Sequence, residues 1–166
     1  AVKASRPDQS DCFFGPNVIE LCRLADITFL GLHGGEGENG KLQAAFDLLG
    51  IKYTGPDSLG CAVAMHKGVA KQIFLEQKSL TVGQGATASF TAKAWDLSYQ
   101  SLGLTLPVVV KPCSGGSSIG VYIVNTDEEY QNALEHSFHY EDEIVVEPYI
   151  KGREFACGII DGKALP

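Results

Sequence analysis

The chain has 166 residues, 45% of them hydrophobic and 20% charged, a composition that suits a globular protein and argues against a disordered or membrane-spanning one. Its net charge of −7, with no Lys/Arg cluster interleaved with aromatics, excludes a general affinity for nucleic acid. The five cysteines are scattered and lack C-x-x-C spacing, so neither a disulfide framework nor a zinc site is expected, and reduced thiols fit a cytoplasmic protein.

Residues 1–16 read as polar loop with Pro7 and Pro16 as breakers, and 17–24 as a short helix. The run DITFLGL (26–32) is nearly continuous in apolar residues and reads as a strand buried on both faces. It leads into the glycine-rich stretch 33–40 and then a helix whose Leu42, Ala45, Phe46 and Leu49 share one face, closed by Gly50. With a further strand at 51–54 this forms a βαβ unit, hence an α/β piece with a parallel sheet. Residues 58–76 read as one long helix, with Ala62, Met65, Val69 and Ile73 facing a core and Lys67 and Lys71 projecting from the other side. A short strand within 79–91 and a helix over 92–102 containing Trp95 are expected next.

The segment 108–121, VVVKPCSGGSSIGV, is the most informative part of the chain. Pro112 biases Lys111 toward extended backbone, so this lysine belongs to a strand end. The small residues 114–118 offer backbone N–H groups that an anion can approach closely. A strand-end lysine beside such a loop is a receptor for phosphate, although no GK[ST] opens a helix here and the loop joins two strands, 107–111 and 119–124. Cys113 lies in this loop and is expected to be accessible. Thr126 and Glu129 form a capping box before a helix with Tyr130, Ala133, Leu134 and Phe138 on its core face and His136 and His139 near its end. Strands are expected at 143–147 and 154–160, then a turn at Asp161-Gly162 and the start of another strand at 163–166.

Five blocks, HGGEGENGKLQ (33–43), IKYTGPDSLGCAVAMHK (51–67), VVVKPCSGGSSIGV (108–121), VVEPYIKGREF (145–155) and the terminal DGKALP, together resemble the D-alanine–D-alanine ligases of the ATP-grasp superfamily. The resemblance implies a partial N-terminal pre-ATP-grasp α/β domain of parallel βαβ type (1–55), an α+β small ATP-grasp lobe (56–146) and the beginning of the C-terminal lobe (147–166). It implies that ATP phosphorylates one D-alanine and that the amine of a second attacks the acyl phosphate, yielding the dipeptide used in peptidoglycan synthesis. By the same resemblance Lys67 and Lys111 contact phosphate, and Ser117 and Ser118 belong to the loop that covers it. Ser117 also helps orient the first D-alanine. Glu147, Pro148, Tyr149 and Ile150 form the linker that grips adenine, Glu154 binds ribose, and His33 and Glu38 lie near the first D-alanine.

Departures accompany the match, for the family usually has Asp at His66 and at Asn39, and commonly Ser at Cys61. Also missing are the family's N-terminal strand with its glycine-rich turn, the distal arginine, the E-x-N-x-x-P-G segment and the acidic ligands of Mg2+ (or Mn2+). The chain, which begins at Ala1 without an initiator methionine, therefore reads as part of a longer protein. By itself it is expected to be inactive, and full-length relatives are expected to be homodimers. A D-alanine–D-lactate or D-alanine–D-serine ligase, or a nucleotide-binding module without catalysis, are the alternative readings.

Overall fold

Alternating burial along Val108–Pro112 sets the architecture, because Val108, Val110 and Pro112 are buried while Val109 and Lys111 turn to the opposite face. The computed structural model describes residues 12–76, 88–91, 98–116 and 118–165. Its elements are α1 (Val18–Leu24), α2 (Lys41–Leu49), α3 (Ser58–Met65), α4 (Lys67–Glu76), β1 (Ala88–Thr91), β2 (Val108–Pro112), β3 (Tyr122–Val124), α5 (Asp127–Phe138), β4 (Glu143–Pro148), β5 (Ile159–Ile160) and β6 (Lys163–Ala164).

Strands β1 to β4 form one antiparallel sheet in the order β1-β4-β2-β3. One face carries Val108, Val110, Val124, Ile144 and Val146, packed against Tyr130, Ala133 and Leu134 of α5. Each buried valine there contributes about 1.5 kcal/mol or more by leaving water. The Thr126 hydroxyl accepts the Glu129 amide at 3.2 Å, as a capping box requires, but the Glu129 carboxylate returns one residue further back, to the Asn125 amide at 2.6 Å. On the other face Val109 pairs with Glu147 and Lys111 with Val145, so Lys111 and Glu147 are diagonal neighbours. Helix α4 packs over that face.

The first 50 or so residues build a smaller core from Leu42, Phe46 and Ile51, with Phe14, Ile19, Leu30 and Tyr53 against it. Here the expected βαβ ladder is reduced. Residues 26–32 and 51–54 pair at a single parallel bridge between Thr28 and Tyr53, flanked by the bonds Thr28 N–H to Lys52 O and Thr54 N–H to Thr28 O, and the Leu30 amide donates to the Thr54 hydroxyl at 3.0 Å. Burial on both faces requires elements packed against each face, and among the described residues Leu30 packs on the small core while Phe29 meets no such layer. Phe29 is accordingly 82% exposed.

Several other expectations are corrected. The helix expected over 58–76 is broken at His66, whose extended backbone ends α3 and precedes α4. The strand expected from 119 starts at Tyr122, because Ser118 and Gly120 have positive φ and turn the chain. The strand expected over 154–160 shrinks to Ile159–Ile160, paired only with β6 across the Asp161-Gly162 turn, where both φ angles are positive. Residues 100–102 form a 3-10 turn, while Trp95 and 79–87 lie outside the described residues.

Gly40 shows why glycine is needed between the first loop and α2. Its φ is +88°, and a Cβ there would sit 2.2 Å from the Ser58 carbonyl oxygen. The starts of α2 and α3 thus touch backbone to backbone, an approach only glycine permits. Asp57 caps α3 by accepting the Gly60 amide at 2.7 Å.

Candidate functional site

The break at His66 has a consequence for the lysine that follows. Lys67 becomes the first residue of α4, its amide donates to the Cys113 carbonyl at 2.7 Å, and its Nζ donates to the Gly115 carbonyl at 2.7 Å. A lysine expected on an exposed helix face is instead half-buried across the glycine-rich loop. Burial, followed by the charge of Lys111, pulls its ammonium below the ordinary lysine range. Lys67 and Lys111 therefore share a poorly solvated space at the root of the loop.

Lys111 forms an ion pair with Glu147, and Lys71 pairs with the second oxygen of the same carboxylate. Burial pushes this carboxyl up, but the hydrogen bonds and charges of Lys111 and Lys71 prevail and hold it below the usual range. The residue expected to receive an adenine amine is thus occupied by two cations. Pro148 ends β4, and the Tyr149 amide donates to the Pro107 carbonyl at 3.0 Å. Ile150 and Glu154 are exposed, Glu154 in the irregular segment between β4 and β5.

The loop itself is anchored by Glu141, which accepts the Ser114 amide at 2.7 Å and the Ser114 hydroxyl. Sequence reasoning missed this residue, because within an acidic run nothing marks it. At Gly115 (φ +97°) and Gly116 an added Cβ would meet nothing within 4 Å, so the loop opens onto free space. Cys113, expected to be accessible, is fully buried because it directly continues β2 into the core. Ser118 is exposed, and Ser117 lies outside the described residues.

Opposite the loop stands the first glycine-rich stretch. Glu38 accepts the Gly34 amide and so braces the turn that follows His33, while buried Gln43 donates to the Gly37 carbonyl at 2.9 Å. His33 and Ser114–Gly116 border one cleft of about 700 Å³, closed at one side by Ile119 and Tyr140. A neighbouring cavity of about 470 Å³ lies between Glu38, Cys61, Lys67 and Gly115. Both volumes are in the range of small-molecule sites. Residues from two distant blocks, 33–38 and 112–116, are therefore brought to one place.

The family model described as "D-ala D-ala ligase N-terminus" matches residues 3–56, and "D-ala D-ala ligase C-terminus" matches residues 79–165. The D-alanine–D-alanine ligase of Lacticaseibacillus casei is 44% identical over 160 residues, covering 96% of this chain and 43% of the relative. That of Pediococcus pentosaceus is 43% identical, covering 99% of this chain and 46% of the relative. The chain thus spans under half the length of these curated relatives. The crystal structure of the Bacillus anthracis D-alanine–D-alanine ligase complexed with ATP matches with a TM-score of 0.78 and 36% identity, over 90% of this chain and 47% of that one. The VanG D-Ala:D-Ser ligase of Enterococcus faecalis matches with a TM-score of 0.69 and 32% identity, over 77% and 37%.

Proposed function

The chain belongs to the D-alanine–D-alanine ligase family, and from that premise we propose that it serves the ATP-dependent joining of two D-alanines through an acyl phosphate, for cytoplasmic synthesis of a peptidoglycan precursor. The observation that carries this reading is the Lys67 ammonium set on the Gly115 carbonyl of an open glycine loop, within reach of the charge of Lys111. Two ammonium groups close enough to repel each other are stabilised by an anion between them, and a polyphosphate is such an anion.

The residues present fit a nucleotide, since the Gly115–Gly116 backbone leaves room for phosphate oxygens and the lysines supply charge. ATP, when bound, supplies the transferable phosphoryl group. Lys67 and Lys111 hold its charge, and the amides of the loop, including that of Ser118, cover it. Glu147, Pro148, Tyr149 and Ile150 take the adenine side, which requires Glu147 to turn from the lysines as they turn to phosphate. Glu154 meets the ribose. His33 and the turn braced by Glu38 face the first D-alanine across the cleft, and Ser117 orients it. Catalysis of this kind is positioning and charge stabilisation by groups already in place. Magnesium, which the family implies, finds no suitable pair of carboxylates among the described residues near the loop, where Glu141 and Glu147 are committed to Ser114 and to lysines. Homodimerisation of the whole protein belongs to the same proposal.

The test is D-alanine-dependent release of ADP and phosphate by the full-length protein carrying this chain. Lys111→Ala is expected to lower kcat/KM for ATP about 10²-fold or more, as removal of a charge-assisted phosphate contact does. An unchanged value overturns the assignment. The VanG match favours a second reading, D-serine as second substrate, and product analysis with D-alanine, D-serine and D-lactate decides between them.

A further inference from the structure

At the root of the loop three side chains converge that the nucleotide reading does not use. His66 stands at the break between α3 and α4, Cys113 directly follows β2, and Glu143 opens β4. Their ligating atoms all lie within 4.8 Å of one another, with His66 Nε2 and Glu143 Oε2 3.0 Å apart. We propose that His66, Cys113 and Glu143 form a site for a thiophilic divalent cation of the zinc class, bound through imidazole, thiolate and carboxylate.

The donor set points to the ion. Thiolate with imidazole selects zinc or its first-row neighbours, whereas magnesium and calcium prefer oxygen alone. Around tetrahedral zinc, neighbouring ligand atoms stand about 3.2–3.7 Å apart. The triangle meets this if the His66–Glu143 edge opens by a few tenths of an ångström and Cys113 closes inward. Three protein ligands leave a fourth position for water. His66 and Glu143 are partly exposed and give the ion a way in, while Cys113 forms the buried floor.

The backbone holds the three in place. The Cys113 amide donates to the Glu143 carbonyl at 3.0 Å, and the Lys67 amide, next to His66, donates to the Cys113 carbonyl at 2.7 Å. Ligands carried by segments that are hydrogen-bonded to one another keep their spacing without the ion.

Binding has a defined proton balance. The Cys113 thiol, pushed by burial up to about 11, loses its proton to solvent, so affinity rises with pH. The imidazole keeps one proton but carries it on Nδ1 instead of Nε2. Nδ1 now accepts the Val69 amide at 3.2 Å, so that cap is given up, which lowers affinity by about tenfold.

Cobalt(II) titration of the chain, followed by absorption, tests the site without reference to nucleotide. One equivalent is expected to give a thiolate-to-cobalt charge-transfer band in the near ultraviolet with visible bands of a four-coordinate ion. Zinc should displace it. Cys113→Ala abolishes the charge-transfer band, while replacement of the exposed Cys12 and Cys157 by alanine leaves it. Should Cys113→Ala misfold, Glu143→Gln decides, with affinity expected to fall at least tenfold and the charge-transfer band retained. Absence of the band at 100 µM cobalt (roughly the weak limit of a specific site), or its survival in Cys113→Ala, overturns the proposal, as does unchanged affinity in Glu143→Gln.

Discussion

Gly40→Ala is the substitution whose effect can be worked most directly from the geometry. The residue has φ +88°, so an alanine carries the left-handed penalty of about 1–2 kcal/mol. Its Cβ would also lie 2.2 Å from the Ser58 carbonyl oxygen and 3.3 Å from the Ala62 amide nitrogen. Both are backbone atoms, which no rotamer change can move. Relieving the contact requires α2 and α3 to part by about 1 Å, disturbing packing at a cost of about 1–3 kcal/mol. The expected total is about 2–5 kcal/mol. Gly50 is the internal control, because its φ of +67° carries similar strain while an added Cβ meets nothing within 4 Å. Gly50→Ala should therefore lose only the conformational part, about 1–2 kcal/mol. Urea unfolding of both variants, with m-values checked for two-state behaviour, measures the difference. Equal losses would refute the argument, since they would mean that the close approach of α2 and α3 contributes nothing.

Removing the cap of α3 by Asp57→Ala should cost about 1 kcal/mol in the same assay, and Asp57→Asn much less. Glu129 is held below the ordinary carboxylate range chiefly by the Asn125 amide. Its contribution to stability is therefore present above the unfolded carboxyl range and lost as pH falls through the lower folded value. Glu129→Gln should thus be less stable at neutral pH, with the gap narrowing on acidification, and a gap that widens in acid would contradict this. Amides of 151–158, in an exposed segment without ladder pairing, should exchange faster than those of β4, as hydrogen-exchange mass spectrometry can read.

Local signals in the sequence were good guides where the causes were local. The valine run before Pro112, the Thr126–Glu129 cap and the Asp161-Gly162 turn depend on a few consecutive residues, and each is present. The family blocks likewise pointed to the glycine loop, and the structure brings Lys67 onto it. What was illegible depends on partners distant in sequence. The run 26–32 is apolar enough for a buried strand, yet its burial depends on neighbours that periodicity cannot supply. A histidine within an otherwise helical pattern gave no hint that the helix breaks there. His66, Cys113 and Glu143 come together through the sheet register and the helix break, which no local motif announces. Lys111 was expected to point toward an anion, and only the pairing of Val109 with Glu147 brings a carboxylate diagonally beside it.

The placement of Lys67 makes one ammonium serve two alternatives. While its Nζ holds the Gly115 carbonyl, the glycine loop is latched to α4; on the proposed reading a phosphate that drew this charge away would open the latch, with the Lys67 and Gly68 amides still tying the helix to Cys113. Binding of an anion and latching of the loop tip are thus mutually exclusive uses of a single side chain. A loop built this way would exchange a lysine tie for a phosphate one, so the state of the Lys67 ammonium becomes a readout of occupancy.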